Sequence, residues 1–153
     1  MTARPGAGDQ GFTLIELVVV LAILAVTTVF VLPAVSRGTE ALRLRSESGR
    51  VAALLRDARQ RAVAHREPTR VTLDRARGVV TLSVGDAQSG QGRVELPAGF
   101  HVRAATGPES LPFSSRGITR TARWIVEGPA GRALTIDVDG ITGRVTVSRE
   151  AGP

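Results

Sequence analysis

Residues 12–32 form an apolar segment of 21 residues in which the only charged side chain is Glu16. An α-helix rises about 1.5 Å per residue, so this segment would span about 30 Å, the hydrocarbon thickness of a bilayer. A single segment in lipid has to satisfy its own backbone hydrogen bonds, and a helix does this. The segment therefore predicts a transmembrane helix, which leaves room for one small further domain.

A conventional secretory signal is a competing interpretation of the same segment. Such signals have about 7–15 apolar residues and end at a small-x-small cleavage site. The segment is longer than this, and residues 32–36 match such a site poorly. A membrane helix is therefore the preferred interpretation.

The charge of the chain is concentrated in one stretch. All twenty basic residues are arginine, and eleven of them lie between Arg37 and Arg77 against five acids. This surplus of six equals the net charge of the whole chain. A basic surface can face anionic lipid, nucleic acid or an acidic neighbouring subunit. For most of these arginines, solvated helix surface is the simplest interpretation.

After Pro33 the apolar residues recur at helical spacing, which predicts an amphipathic helix that ends near Arg66, ahead of Pro68. Its apolar positions are Leu44, Val51, Leu54, Leu55, Ala58 and Ala62. From Thr69 the period changes to two, with glycine-containing turns between strands. The predicted strands are 71–73, 79–84, 93–96, 100–104, 123–127, 132–138 and 144–148. A helix followed only by strands predicts an α+β fold, with the amphipathic helix packed on an antiparallel sheet.

The residues that lead into the apolar segment, Gly11-Phe12-Thr13-Leu14-Ile15-Glu16, resemble the type III signal of type IV pilins and pseudopilins. In that family a prepilin peptidase cuts after the glycine and methylates the new amino terminus. The resemblance implies cleavage between Gly11 and Phe12, N-methylation of Phe12, and an assembly role for Glu16. The implied regions are a leader (1–11), a transmembrane assembly helix (12–32), an amphipathic stem (33–67) and a β-rich periplasmic region (68–153).

Glu16 also has a physical reason to act in assembly. A carboxylate near the end of a membrane helix is costly unless it has a partner. Cleavage before Phe12 would create an ammonium group at a similar depth, so Glu16 of one subunit could neutralise the Phe12 amine of its neighbour. That pairing would favour a defined axial stagger between helices.

Further segments of the chain resemble one particular family of pilin-like proteins. Residues 41–82, Leu111–Gly117 and Ile136–Val147 are similar to the GspH/FimT family, which includes the minor pseudopilin GspH of type II secretion systems. This implies a minor subunit near the tip of a periplasmic pseudopilus that drives the export of folded proteins. Its implied partners are major and minor pseudopilins, the prepilin peptidase and the inner membrane, which it would cross once with the globular part in the periplasm. Charge counting alone favours the opposite orientation, because four arginines closely follow the span.

The FimT resemblance keeps a second function open, that of a minor type IV pilin in pilus assembly or DNA uptake. Phosphate contacts would then come from Arg144 and Arg149, together with Arg116, Arg120 and Arg123. An anchored periplasmic adaptor that never polymerises is a further alternative.

The residues offer little for catalysis. His65 and His101 have no second histidine, cysteine or acidic cluster at ligand spacing, so both are expected at the surface or in packing. Residues 85–92 lack the lysine and hydroxyl residue of a phosphate loop. We therefore expect no enzymatic activity, cofactor or metal. Trp124 is expected in the core, and residues 85–92 and 106–120 have no assignable pattern.

Overall fold

The computed structural model describes residues 13–85 and 91–149, except for the side chains of residues 28–37. The predicted leader, Gly11 and Phe12 lie outside the described residues, as does most of the loop at 85–92. The chain divides into two compact units, residues 1–38 and residues 39–153.

A single helix, α1 (Leu14–His65), supplies the helical residues of both units. Its backbone remains helical through Pro33. The helix ends at His65 because Arg66 adopts a left-handed conformation, with φ of 55°. A left-handed residue commonly closes a helix, and Pro68 lies close behind it as a second barrier to continuation. The end predicted near Arg66 is therefore confirmed.

In the second unit, α1 buries one of its faces. All six predicted apolar positions are buried: Leu44, Val51, Leu54, Leu55, Ala58 and Ala62. Polar side chains such as Arg56 and Gln60 lie on the exposed side. The helical period predicted from the sequence is therefore confirmed.

Eight strands follow the helix in the described residues, and their pairings are antiparallel. They are β1 (Thr69–Asp74), β2 (Val79–Val84), β3 (Gly92–Glu95), β4 (His101–Thr106), β5 (Ser110–Phe113), β6 (Ala122–Glu127), β7 (Ala133–Val138) and β8 (Val145–Arg149). They form two four-stranded sheets, ordered β3-β2-β1-β5 and β4-β6-β7-β8. The predicted α+β fold is confirmed, with two sheets in place of one because β5 returns to β1 while β4 pairs with β6.

Strand β5 lies in the segment for which the sequence predicts no structure. It has four residues and contains Pro112, which has no backbone N–H to donate to a neighbouring strand. The first sheet accommodates this proline because β5 is an edge strand that pairs only with β1, where Pro112 lies opposite Arg70. Leu111 and Phe113 are fully buried, so β5 is held by its apolar side chains.

One apolar core joins the helix of the second unit to both sheets. Trp124 is fully buried in it, as predicted, and its indole N–H donates to the Pro108 carbonyl over 3.3 Å. The buried Thr69 hydroxyl donates to the Ala58 carbonyl of α1 over 2.9 Å. Burial of these polar groups is tolerated because each has a hydrogen-bond partner.

Candidate functional site

The amino-terminal end of α1 has the geometry of a capped helix. The Glu16 N–H donates to Thr13 Oγ1 over 3.3 Å, and the Leu17 N–H donates to the Thr13 carbonyl over 3.2 Å. Thr13 is therefore the N-cap, and Glu16 occupies the third helical position, as in the Thr-x-x-Glu pattern of a capping box. A carboxylate there also interacts favourably with the helix dipole. The sequence predicts only an assembly role for Glu16, although the Thr13–Glu16 spacing also indicates this capping role.

Apolar side chains are exposed on all sides of α1 around Glu16. Leu14, Ile15 and Leu17 are 82%, 72% and 58% exposed, and residues 18–21 are exposed as well. A helix that is apolar all round needs an apolar environment, either lipid or other helices. Glu16 is itself exposed and has no ion-pair partner among the described residues of its own chain. Its carboxylate can therefore meet a group supplied from outside the chain.

The predicted transmembrane helix, residues 12–32, extends beyond the described side chains at both of its ends. Among the residues that are described, no helical stretch combines the length and the apolar content of a membrane span. Membrane insertion of this segment therefore stays a prediction.

A second candidate site lies at the turn between β7 and β8. Asp139 Oδ1 accepts hydrogen bonds from the N–H groups of Ile141 and Thr142, over 3.1 and 2.7 Å, and from the Thr142 hydroxyl over 2.8 Å. The Gly143 N–H closes the turn by donating to the Asp139 carbonyl over 2.9 Å. The hydrogen bonds to Oδ1 lower the pKa of Asp139. The Thr142 N–H contributes most, followed by the Thr142 hydroxyl, and the Ile141 N–H and the positive charge of Arg144 add to the effect.

The lowered pKa predicts how this turn responds to acid. Because the pKa of Asp139 is lower in the folded chain, its carboxylate stabilises the fold above the unfolded-state pKa, about 3.9, and the contribution is lost as the pH falls through the folded-state pKa. We expect Asp139→Asn to lower the free energy of unfolding at neutral pH, with a difference from the unmodified chain that shrinks in acid. Urea unfolding across a pH series, followed by fluorescence of the single tryptophan, measures this difference. A difference that is independent of pH would contradict an electrostatic role for Asp139.

The two C-terminal segments that resemble the GspH/FimT family meet at this turn. The Thr119 N–H, two residues beyond the first of these segments, donates to the Gly140 carbonyl of the second over 3.0 Å. Gly143 has φ of 64° and lies against the Gly117 carbonyl, and a methyl group added to it would lie 2.6 Å from Arg59 Nε. A methyl group added to Gly117 would lie 3.2 Å from the same nitrogen. The absence of side chains at these two glycines lets both turns close over Arg59 of α1.

The arginines proposed for DNA contact have different surroundings. Arg123 is paired with Asp137, with Nε 2.6 Å from Oδ1, and both line an open groove of about 440 Å³ with Arg144. All five arginines are exposed, and three of them do not line this groove, namely Arg116, Arg120 and Arg149. Arg144 differs from the other four because it lines the groove and forms no ion pair with another described residue.

Arg144 also lines a second groove, of about 390 Å³, on the side that faces α1. Arg56 and Arg59 of the helix lie in it. Both belong to the basic stretch from Arg37 to Arg77, for most of which solvated helix surface is the simplest interpretation of the sequence. Their separation of three residues indicates that they share one helix face. The spacing alone does not indicate which other residues of the fold this helix face contacts.

The two histidines lie at the surface of the second unit. His65 ends α1 and His101 begins β4, and both side chains are exposed. Within residues 13–85 and 91–149, no three potential ligands among His, Cys, Asp and Glu come close enough to hold a metal ion. The surface position of both histidines agrees with the prediction from their sequence neighbours.

Comparisons with known proteins identify the amino-terminal motif and the fold. Residues 7–32 match the family described as the prokaryotic N-terminal methylation motif. A search of the curated proteins finds no match. In a search of solved structures, the type IV minor pilin FimU of Pseudomonas aeruginosa is 16% identical with a TM-score of 0.62, over 74% of this chain and 94% of that one. A second crystal form of FimU is 14% identical with a TM-score of 0.60, over 71% and 95% of the two chains.

The minor pseudopilin EpsH from the type 2 secretion system of Vibrio cholerae is also similar in structure. It is 10% identical with a TM-score of 0.59, over 72% of this chain and 99% of that one. At such identities the likeness shows a shared fold. The motif and the fold expected from the GspH/FimT resemblance are both confirmed. The chain therefore combines a prepilin-type N-methylation motif with a pilin-like fold, which it shares with the minor pilin FimU and the minor pseudopilin EpsH.

Proposed function

We propose that this chain is a minor pseudopilin of a type II protein secretion system, incorporated near the tip of a periplasmic pseudopilus that drives the export of folded proteins. The observation that carries a filament role is Glu16, an exposed acid on an exposed apolar helix with no ion-pair partner among the described residues of its own chain. Charge and apolar surface of this kind are stabilised when helices of several subunits pack together. The shared fold with EpsH supports the pseudopilin assignment.

The proposed maturation follows from the same segment. A prepilin peptidase cuts between Gly11 and Phe12 and methylates the Phe12 amine. The cut leaves Phe12 and Thr13 ahead of α1, which begins at Leu14. The Phe12 ammonium group then pairs with Glu16 of a neighbouring pseudopilin. The mature chain crosses the inner membrane once, keeps its β-rich unit in the periplasm, and acts through assembly without catalysis.

Mass spectrometry of the full-length protein, extracted from membranes of a host with a prepilin peptidase, tests this maturation. We expect a mass that lacks residues 1–11 and includes one added methyl group at Phe12. The matched control is Gly11→Val, which should keep its leader because the branched side chain does not fit a site that accepts glycine. If the chain without a substitution keeps its original amino terminus, the proposal is contradicted.

A minor type IV pilin in pilus assembly or DNA uptake is the second candidate, and the similarity to FimU supports it. Deletion of the chain in its native host separates the two. Loss of protein secretion with intact pili supports the pseudopilin. Loss of pili or of DNA uptake with normal secretion supports the type IV pilin.

A further inference from the structure

We propose that the groove between α1 and the β7–β8 turn binds a carboxylate side chain of a neighbouring filament subunit. This arginine groove is lined by Arg56, Arg59, Thr142, Gly143, Arg144 and Val145, and its volume is about 390 Å³. The inference rests on the proposed function, because it needs a filament in which another subunit lies next to this surface.

The fold holds two of the guanidinium groups in place. Arg56 Nη2 donates to the Val145 carbonyl over 3.1 Å, which fixes a helix side chain against the first residue of β8. Arg59 lies under the two turns at Gly117 and Gly143, close enough that a methyl group on either glycine would press on it. An arginine that is already positioned loses less side-chain entropy when it binds an anion.

The arginine groove has three positive charges and no acidic residue in its lining. Elsewhere in the described residues, six arginines form ion pairs: Arg50, Arg61, Arg77, Arg93, Arg103 and Arg123. None of the three groove arginines has a carboxylate within ion-pair distance in the part of the chain that is described. Clustered like charges repel, so an anion that enters the groove relieves this repulsion as well as forming new bonds.

The surroundings favour a compact carboxylate over a nucleic-acid backbone. On its other side, Arg144 lines the 440 Å³ groove that also contains Asp137 and Asp139. In that groove the two carboxylates balance the charges of Arg123 and Arg144, so a polyanion that continued past Arg144 would find no surplus of positive charge, whereas a single acidic side chain can end within the arginine groove. A subunit with an aspartate or glutamate on its facing surface therefore has the matching chemistry.

The absence of lysine from the sequence permits a direct test. Arg56→Lys keeps the positive charge and gives the full-length chain its only side-chain amine. A zero-length carbodiimide reagent activates a carboxylate, and an amine in contact with it forms an amide bond. Arg70→Lys is the matched control, because Arg70 is exposed on β1 of the first sheet and outside the groove. Both variants are assembled into filaments in cells, and the isolated filaments are treated and analysed by mass spectrometry.

We expect an amide link between residue 56 and an Asp or Glu of a neighbouring subunit, at least tenfold more abundant than any intersubunit link from residue 70. Links from residue 56 only to acids of its own chain, or no link at all in filaments that contain the variant, would overturn the inference. Failure of the unmodified chain to mature and enter filaments, measured in parallel, would instead overturn the proposed function.

A second measurement separates a carboxylate from phosphate. The full-length chain in neutral detergent is mixed with duplex DNA at low salt, and binding is compared with that of Arg56→Gln/Arg144→Gln. Equal binding by both supports the assignment to a protein carboxylate. Binding that falls at least tenfold in the double variant would assign the groove to phosphate and overturn the inference.

Discussion

Replacing Glu16 by alanine or glutamine is expected to lower incorporation into filaments at least tenfold while leader cleavage continues. On the proposed mechanism, either change leaves the Phe12 ammonium group of a neighbour without a counter-charge in apolar surroundings. A charge at the centre of a bilayer costs about 2.5–3.5 kcal/mol, and each 1.4 kcal/mol is about a factor of ten in an equilibrium. The position near one end of the segment reduces this cost, so at least a tenfold effect is expected. The measurement is the ratio of the chain in purified filaments to the chain in membranes.

These substitutions test the side-chain charge of Glu16, because the helix cap uses only the backbone of this residue. The hydrogen bond to Thr13 Oγ1 comes from the backbone N–H of Glu16, so both substitutions can keep it. Glu16→Asp is the matched control because it retains a carboxylate, and its incorporation should exceed that of the alanine and glutamine variants. Processing is checked for each variant from the mass of the mature chain. Incorporation of the neutral variants at the level of the unmodified chain would remove the proposed pairing and, with it, the case for a filament subunit.

Gly143→Ala is expected to lower the free energy of unfolding by about 3 kcal/mol or more. Gly143 has φ of 64°, a left-handed conformation that costs a residue with a Cβ about 1–2 kcal/mol. The added methyl group would also overlap the Gly117 carbonyl and the Arg59 side chain. Overpacking typically costs about 1–3 kcal/mol, and here one of the obstructing groups is backbone and cannot move alone. Urea unfolding of the full-length chain in detergent, followed by Trp124 fluorescence, gives the difference.

Gly131→Ala isolates the effect of the close contact. Gly131 has a similar φ of 71°, but a methyl group added there has no atom within 4 Å. Only the backbone penalty of about 1–2 kcal/mol should therefore appear at this position. Equal losses at Gly131 and Gly143 would show that the contact among Gly143, Gly117 and Arg59 does not contribute to stability.

The Gly143 contact also connects stability with the proposed interaction surface. Arg59 is positioned by the same two turns that close over it, and it lines the arginine groove together with Arg56 and Arg144. A change that displaces the turns should therefore weaken both the fold and the binding of a neighbouring carboxylate. Arg56→Lys is the better test of binding, because residue 56 does not lie beneath either glycine.

Local periodicity was enough to predict much of the chain. The helical spacing from Leu44 to Ala62 identified the buried face of α1, and the period-two segments located seven of the eight described strands. The junction at Gly11–Glu16 indicated the methylation motif that the family match at residues 7–32 then identified. Each of these signals depends on neighbouring residues, whose spacing is imposed by the geometry of a helix or a strand.

Only the tertiary structure decided which distant segments meet. Residues 106–120 had no assignable pattern, and the first sheet places β5 among them at an edge, where the missing N–H of Pro112 costs nothing. Arg56 and the Val145 carbonyl are separated by 89 residues, and no local pattern relates them. Their contact exists because burial of the shared core brings α1 against both sheets, and the two glycine turns then close over Arg59. The sequence by itself therefore determined the elements and the amino-terminal motif, whereas long-range packing alone assembled the arginine groove.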